Sequence, residues 1–252
     1  MTDFSTAARD GLTPADLEDV LRQVGASRYH NRHPLHHKMT SGALSKGQLQ
    51  AWALNRYCYQ SVIPRKDAMI IARAEDPAFR AEWRKRIEDH DGADGWNGGI
   101  ARWLKLAMGL GLDRDLVTRE LAALPATRFA VGGYLAFCTN RSLLEAVASS
   151  LTELFSPMII SERVPAMLAK YDYINADILS YFSARPVQAS RDSDFALAYV
   201  LQNADTPEKQ QAVIDALLFK CDVLWAMLDA LEQAYGDHGH IPPGAFDPGK
   251  EQ

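Results

Sequence analysis

Apolar residues recur at intervals of three and four along most of this chain, and that spacing restricts the possible folds more than any other feature. The stripes from Leu17 to Val24 and from Ile214 to Leu231 each place their apolar side chains on one face of a helix. No segment combines apolar–polar alternation with β-branched residues, as a half-buried strand would. The sequence therefore predicts an all-α fold, a single compact helical bundle of about eight to ten helices.

Local signals predict where helices begin and end. A side-chain acceptor followed by proline, or by glutamine three residues later, is typical of a helix start. Gly25 is expected to end the first helix, and the last long helix is expected to reach about Tyr235. The predicted starts are Thr13-Pro14, Ser45-Lys46-Gly47-Gln48, Asp76-Pro77 and Thr206-Pro207.

Prolines predict interruptions, because proline lacks an N–H and its ring clashes with the preceding turn. Pro64 should kink one long helix, and Pro157 should break a helix over residues 142–155. Pro186 should end a helix from Tyr173 to Arg185, with a separate helix following over Asp192–Leu201. Residues 1–12 and 236–252 are expected to be flexible tails that flank one all-helical domain over residues 13–235.

Charge and cysteine content exclude several functional classes. The chain has 27 basic and 32 acidic residues, a net charge of −5, so binding to nucleic acid through backbone charge is disfavoured. Three cysteines far apart in the sequence favour a reducing compartment over a disulfide framework. We expect a cytoplasmic protein, because neither a signal peptide nor an apolar run of about 18 residues is visible.

Several polar residues lie within otherwise apolar helical stripes. Buried ionised groups are costly unless they are paired or bound to a ligand. Several cations directed inward therefore suggest a pocket for a polyanionic small molecule, and the alternative is a set of structural salt bridges. The residues concerned are Arg56, Tyr59, Gln60, Lys66, Tyr181, Arg185 and Lys220.

Two histidine patterns have chemical interpretations. His33 and His37 have the i, i+4 spacing of helical metal ligands, but Pro34 intervenes and none of the glutamates has a histidine three residues later. Capping or surface roles are favoured for them, and no metal site is expected. The sequence Asp89-His90-Asp91 resembles an acid/base oriented by a carboxylate, the alternative being a polar helix end.

Five blocks, in order and at consistent spacing over about residues 15 to 235, resemble the pyrroloquinoline-quinone synthase (PqqC) family of the TenA-like, heme-oxygenase-like superfamily. The first three blocks are Tyr29-His30-x-x-His33-Pro34, Asn55-Arg56-x-x-Tyr59-Gln60-x-x-Ile63-Pro64-x-Lys66-Asp67 and Arg86-Ile87-x-Asp89-His90-Asp91-Gly92. The last two are Ser149 to Phe155 and Phe219 to Asp229.

The resemblance implies a heme-oxygenase-like helical fold and a homodimer. It implies the last step of pyrroloquinoline quinone (PQQ) biosynthesis, in which a carboxylate-rich quinone precursor undergoes ring closure and multi-electron oxidation by dioxygen, with release of hydrogen peroxide. The family uses no metal and no redox cofactor for this, so none is expected here. A carrier protein of the PQQ pathway is a further expected partner, whereas nucleic acid and membrane are not.

Site residues are carried over by position from the resemblance. His90 would be the main general base, and Tyr181 and Arg185 would shape the site for dioxygen and peroxide. Lys220 and His30 would also be catalytic. Substrate carboxylates and quinone oxygens would be held by Arg56, Lys66, Arg86, Arg163 and Lys220. The pocket would be lined by Tyr29, His30, Tyr59, Gln60, Thr152 and Glu153.

One position departs from the family pattern. Ile160 stands where the family has a histidine, three residues beyond Pro157, in the neighbourhood of Tyr181 and Arg185. The favoured interpretation is that the histidine is dispensable and Ile160 leaves an apolar oxygen pocket. The other is that the late oxidation is slow, or that the protein is a paralogue acting on a related quinone.

Other functions on the same fold remain open. A TenA-type thiamine-salvage hydrolase would need a nucleophilic cysteine, and of the three cysteines only Cys58 is a candidate, a poor one. A non-catalytic carrier that binds and releases PQQ is the second alternative. A haem oxygenase would need a histidine on the first helix, and none lies between Leu17 and Val24.

Overall fold

The computed structural model describes residues 3–93 and 97–250, and within them it contains helices and no strand. The all-α prediction is therefore confirmed. Two short 3₁₀ segments, His30–Arg32 and Ser149–Phe155, connect longer elements. The α-helices are α1 (Pro14–Arg28), α2 (Pro34–Ser41), α3 (Lys46–Arg73), α4 (Pro77–Asp91), α5 (Gly99–Gly109), α6 (Arg114–Thr118), α7 (Pro125–Asn140), α8 (Leu143–Ala148), α9 (Ser156–Lys170), α10 (Tyr181–Asn203) and α11 (Pro207–Tyr235).

The two longest helices, α3 and α11, organise the bundle. α3 packs against α4, α5 and α7, whereas α11 packs against α1, α7 and the 3₁₀ segment Ser149–Phe155. Both helices bury side chains along most of their length. The polar residues that they carry among apolar neighbours therefore face the middle of the domain.

Capping at the helix starts follows the sequence signals. The Thr13 hydroxyl accepts from the Asp16 N–H, and Ser45 with Gln48 forms a complete capping box. Asp76 accepts from the first amides of α4, and Thr206 caps α11. These side chains satisfy amides that have no partner inside the helix.

Gly25 does not end the first helix, contrary to the prediction. α1 continues to Arg28, and Gly25 is buried where the Phe155 ring lies against the helix backbone. A Cβ at this position would stand 1.9 Å from Phe155 Cζ, so a glycine is needed for the close approach of the ring. The glycine thus serves packing between α1 and the 3₁₀ segment rather than helix termination.

Two predicted breaks near prolines are also wrong. Instead of ending at Pro186, a single helix begins at Tyr181 and runs through this proline to Asn203. Burial of residues on both sides of Pro186, including Arg185 and Ala189, holds the helix together despite the missing hydrogen bond. Pro157 lies in the first turn of α9, where proline is well tolerated, so it starts a helix. α3 likewise continues through Pro64.

Residues 3–12 and 236–250, which belong to the segments predicted to be flexible tails, make contacts with the bundle. Phe4 and Ala8 are buried, and the amides of Ala8 and Leu12 donate to the side chains of Gln211 and Gln210 on α11. At the other end Phe246 is buried, and its N–H donates to the Ala122 carbonyl at 2.8 Å. The same Phe246 accepts from the Tyr235 hydroxyl through its carbonyl oxygen.

One stretch, Leu143–Lys170, is long and apolar enough to cross a membrane by length and composition. It is composed of α8, the second 3₁₀ segment and α9, and half of its most apolar window is buried. It also carries the buried side chains of Thr152 and Arg163. These features are those of a core segment of the bundle.

Gly25→Ala should destabilise the protein by about 1–3 kcal/mol, because the added methyl group would collide with the Phe155 ring. Thermal and urea unfolding would measure the loss. Phe155→Leu supplies the control, since the smaller side chain makes room for the methyl group. The double variant should then lose less than the sum of the two single losses, whereas additive losses would contradict this explanation.

Candidate active site

A cavity of about 70 Å³ lies in the middle of the bundle. Arg56, Tyr59 and Gln60 lie one turn apart on α3 and point into it together. The other walls come from the Tyr29–His30 junction, α4, the 3₁₀ segment Ser149–Phe155, α9 and α10. Eleven of the fourteen residues predicted for the site line this cavity: Tyr29, His30, Arg56, Tyr59, Gln60, His90, Thr152, Glu153, Arg163, Tyr181 and Arg185.

The remaining three, Lys66, Arg86 and Lys220, are not among the lining residues. Each is buried one layer behind the wall and bound to another side chain. The sequence prediction that they contact substrate directly is therefore not supported by this geometry. Their position is supporting, because the residues that they hold do reach the cavity.

A network of buried ion pairs forms that supporting layer. Lys66 Nζ lies 2.6 Å from Asp67 Oδ1, and Arg86 Nε lies 3.4 Å from the same oxygen. Arg86 Nη2 in turn lies 2.6 Å from Glu153 Oε2. Arg185 Nη2 completes the network by donating to Glu153 Oε1 at 3.3 Å. The network of ion pairs therefore extends from the buried face of α3 to the cavity wall.

The positive and negative charges of this ion-pair network balance one another. Burial would raise the pKa of Glu153, but the positive charges of Arg86, Arg185 and Lys66 outweigh it and lower that pKa to about 2. Arg86 also lies 3.7 Å from Asp192, a third buried carboxylate. Arg191 pairs with Asp192 and also with Asp89, each at 2.6 Å. Four cations and four carboxylates thus neutralise one another behind the cavity, which is the condition for keeping ions in a protein interior.

Lys220 is bound differently from the other two cations. Its Nζ donates to the Tyr59 hydroxyl at 2.7 Å and lies over the Tyr134 ring, 3.2 Å from the centroid. Burial, assisted by the nearby charge of Lys66, lowers the pKa of Lys220 well below its ordinary value. The amine therefore reaches the cavity through the hydroxyl of Tyr59.

Two guanidinium groups at the cavity have no counter-ion among the residues that the structure describes. Among the described residues Arg56 and Arg163 have no carboxylate within ion-pair distance, although Arg56 stacks on the Tyr59 ring at 4.1 Å. Burial and the charge of Arg56 lower the pKa of Arg163 to about 10. Because unpaired buried cations are costly, the cavity is complementary to an anion, and guanidinium groups suit planar carboxylates.

His90 is oriented by a backbone group and not by a carboxylate, which corrects the interpretation of Asp89-His90-Asp91. Its Nδ1 lies 2.9 Å from the Arg86 carbonyl oxygen, so Nδ1 carries the proton and Nε2 keeps a lone pair. Asp89 instead pairs with Arg191 at 2.6 Å. Burial and the charge of Arg185 lower the pKa of His90 to about 4, so the imidazole is a neutral base at neutral pH.

His30 is a second neutral imidazole at the cavity. Burial, with the charges of Arg56 and Arg163, lowers its pKa well below the ordinary value. Its ring meets the Tyr29 ring edge-on, with the centroids 4.3 Å apart. Its Nδ1 is buried and has no hydrogen-bond partner among the described residues, so this nitrogen is available to a ligand.

The end of the cavity formed by α10 combines one polar pair with an apolar wall. The Tyr181 hydroxyl donates to Gln60 Oε1 at 3.0 Å. Ile159, Ile160 and Phe182 line the same cavity. Ile160 thus contributes neither a proton donor nor an acceptor to the cavity.

The remaining histidines of the His-rich segment have separate partners. His33 caps α2, with Nδ1 accepting from the Leu35 N–H at 3.0 Å and Nε2 lying 3.0 Å from Asp229. His37 is exposed. Within residues 3–93 and 97–250, no cluster of three or more His, Cys, Asp or Glu side chains has the geometry of a metal site.

Some residues of the cavity and of the ion-pair layer carried no chemical signal of their own in the sequence. The apolar lining residues Ile63, Trp103 and Leu224 are indistinguishable from core residues by composition. Asp192, which closes the ion-pair layer, lies in an ordinary polar stretch of α10. Asp67 was visible beside Lys66, but its role depends on the position of α4, which the sequence does not reveal.

Solved structures define the class of fold. A domain of unknown function with a heme oxygenase-like fold from Shewanella denitrificans superposes with a TM-score of 0.72 at 15% identity, covering 89% of this chain and 94% of that one. A TenA homolog from Pseudomonas syringae gives 0.70 at 11% identity, covering 87% and 92%. The protein is thus a heme-oxygenase-like helical bundle with an anion-complementary cavity.

Residues 18–230 match the model of the TENA/THI-4/PQQC family, and the chain belongs to that family. It is 64% identical over 235 residues to a pyrroloquinoline-quinone synthase of Acidiphilium cryptum, covering 93% of this chain and 96% of the relative. It is 61% identical over 237 residues to the protein of the same name from Gluconobacter oxydans, covering 94% and 99%. The family resemblance predicted from the sequence is confirmed.

His90 should make the protein sensitive to acid. Because its pKa falls from about 6.5 when unfolded to about 4 when folded, the unfolded state binds the extra proton between these values. The free energy of unfolding should therefore decrease as the pH falls from 6.5 to 4, by about 3 kcal/mol from this group. Urea unfolding across this range should give a shallower dependence for His90→Asn. The exposed His238→Asn should leave the dependence unchanged, and an unchanged slope for His90→Asn would contradict the assignment.

Proposed function

We propose that this protein is a pyrroloquinoline-quinone synthase, an oxidoreductase with dioxygen as acceptor. It completes PQQ biosynthesis by ring closure and multi-electron oxidation of a carboxylate-rich quinone precursor, releasing hydrogen peroxide. The observation that carries the proposal is the combination of two kinds of group at one cavity. They are two guanidinium groups with no counter-ion in the described part of the chain, and the neutral base His90. The high identity to curated relatives of this name, over nearly their full length, supports it.

In this proposal the unpaired cations hold the substrate. Arg56 and Arg163 bind carboxylates of the precursor and so acquire the counter-ions that the fold does not supply. Tyr29 and Thr152 border the same space and contact the ring system. Binding in a buried cavity fixes the precursor relative to His90 and removes water from the reacting atoms.

His90 then acts as the general base. Its Nε2 accepts a proton from the bound precursor, while Nδ1 stays bound to the Arg86 carbonyl and keeps the ring in place. The positive charges of Arg56 and Arg163 stabilise the negative charge that builds up on the ring system as the proton leaves. The electron-rich substrate can then be oxidised.

Dioxygen is reduced at the end of the cavity formed by α10. We assign no resident metal or redox cofactor, so the substrate itself supplies the electrons, and each two electrons and two protons convert one dioxygen into one hydrogen peroxide. Arg185, held by Glu153, places a positive charge beside the developing peroxide, and the Tyr181 hydroxyl provides a hydrogen bond. Ile160 supplies apolar surface for dioxygen.

The proposal includes a cytoplasmic homodimer, with a PQQ-pathway carrier protein as a possible partner. Light scattering of the purified protein would give the oligomeric state, and cell fractionation would give the location. The homodimer and the carrier partner follow from the family resemblance, and the location follows from the sequence. The catalytic proposal does not depend on them.

The alternative TenA-type hydrolase is less well supported by the cysteines. None of the three lines the cavity, and all three are buried. Burial raises the pKa of Cys58 to about 12, with the nearby Glu120 acting in the same direction. Burial also raises the pKa of Cys221 to about 12. Such thiols are poor nucleophiles at neutral pH.

The alternative of a PQQ carrier is favoured only by Ile160, which leaves one proton-transferring group fewer at the cavity. Turnover separates the carrier from the enzyme. An aerobic single-turnover absorbance trace with chelator-treated protein and the PQQ precursor should show growth of the PQQ spectrum with peroxide release, and no growth without dioxygen. His90→Asn should lower the rate by about 10²- to 10⁴-fold, because Asn can donate to the Arg86 carbonyl but cannot act as a base.

Circular dichroism should show that His90→Asn keeps its helices, and His238→Asn should turn over like the wild type. A full rate for His90→Asn would exclude His90 as the base. A spectrum that shifts on binding but never reaches PQQ in the wild type would favour the carrier.

Ile160→His tests the departure from the family pattern. The added imidazole would line the cavity and can supply a proton to reduced oxygen, so the oxygen-dependent phase should keep its rate or become faster. Stopped-flow absorbance with varied dioxygen measures that phase. Its collapse would indicate that the pocket is built around isoleucine and does not accept the family's residue.

A further inference from the structure

His36, on α2, is a buried histidine that the mechanism above does not use. Its Nδ1 accepts a hydrogen bond of 3.3 Å from Nη2 of Arg163, which lines the cavity. Its Nε2 lies 3.8 Å from the Glu162 carboxylate, at the protein surface. His36 therefore stands directly behind one of the two cations that we assign to carboxylate binding.

The protonation state of His36 follows from its partner. A guanidinium group is only a donor, so Nδ1 must offer a lone pair and the ring proton must be on Nε2. Burial lowers the pKa of His36 to about 3, and the charge of Arg163 acts in the same direction. The imidazole is thus neutral over the whole physiological pH range.

The neighbouring helix keeps this imidazole in place. The Tyr171 hydroxyl, just after α9, donates to the Met39 carbonyl on α2 at 3.0 Å. The His33 cap fixes the first turn of α2. His36 and Arg163 are thereby carried by two helices that are tied together, so the distance between them is set by the fold.

The partners of Arg163 and Arg185 differ in charge: His36 is a neutral imidazole, whereas Glu153 is a carboxylate. Glu153 both orients Arg185 and cancels part of its charge. The imidazole of His36 orients the guanidinium group of Arg163 but leaves its full charge directed at the cavity. Arg163 Nε has no hydrogen-bond partner among the described residues, so donor capacity remains for a ligand as well.

We propose that His36 is a positioning residue for anion binding, whose Nδ1 lone pair holds the Arg163 guanidinium group in the cavity without neutralising it. The inference rests on the proposed function only for the identity of the anion, a carboxylate of the quinone substrate. A carboxylate at position 36 would hold Arg163 equally well but would take up the charge that the ligand needs.

Three substitutions separate orientation from charge. His36→Asn retains an acceptor near the position of Nδ1, His36→Leu removes it, and His36→Asp replaces it with a charged one. Titration with PQQ, followed by absorbance, should give a dissociation constant within about threefold of the wild type for Asn and about tenfold or more weaker for Leu. Asp should also weaken binding about tenfold or more, despite its acceptor.

The kinetic signature should differ from that of a structural defect. With the precursor, His36→Leu should raise KM while kcat stays near that of the wild type, because the lost interaction is uniform binding. In an Arg163→Gln background, the additional change His36→Leu should have little further effect on PQQ binding. The exposed neighbour His37→Leu is the matched control and should bind PQQ like the wild type.

The tautomer can be measured without any ligand. Long-range ¹H–¹⁵N spectra of the wild-type protein should show His36 as a neutral ring protonated at Nε2 near pH 7. A ring protonated at Nδ1, or a doubly protonated ring, would overturn the inference independently of any activity.

The binding outcomes separate the two proposals. Equal PQQ binding by the wild type and His36→Leu, or by Asn and Asp, would overturn the role of His36 and leave the synthase proposal intact. PQQ binding with the expected order of variants, but without turnover of the precursor, would overturn the synthase proposal and leave the role of His36 intact.

Discussion

The buried ion pairs from Lys66 to Arg185 are the interaction on which the site depends. Each ion alone would be very costly in the interior, and each is tolerated because its neighbours carry the opposite charge. The members come from α3, α4, the 3₁₀ segment and α10, so the network forms only when these elements are docked. The same network holds Glu153 ionised and thereby directs Arg185 at the cavity.

Against this neutral background, the uncompensated groups define the chemistry. Among the described residues nothing cancels the positive charge of Arg56 and Arg163. Burial and these two cations keep His30 neutral. Burial and the charge of Arg185 keep His90 neutral. An anionic ligand would relieve the repulsion among the cations, so binding and electrostatic relaxation favour each other. The site therefore uses one arrangement of charges both to attract a carboxylate and to keep a base unprotonated.

The sequence predicted helices, caps and the stripe of polar residues on α3, because these depend on local spacing. It did not predict which polar residues of the stripe line the cavity and which lie behind its wall. Lys66 continues the stripe of Arg56 and Gln60, but it lies further along α3, where α4 covers the helix, and so it meets Asp67 and Ser150 behind the cavity. Errors at Gly25 and Pro186 have a similar origin, because tertiary packing decided whether a helix continued past a residue that locally favours termination.

The segment near the start of the chain has a consequence for the order of events during synthesis. Its amides at Ala8 and Leu12 are held by glutamines on α11 that lie 203 and 198 residues later in the sequence. At about 5–20 residues per second, a ribosome needs roughly 10–40 s to make that interval. Phe4 and Ala8 therefore cannot reach their final positions while most of the bundle is still being translated. They can dock only after α11 has been synthesised.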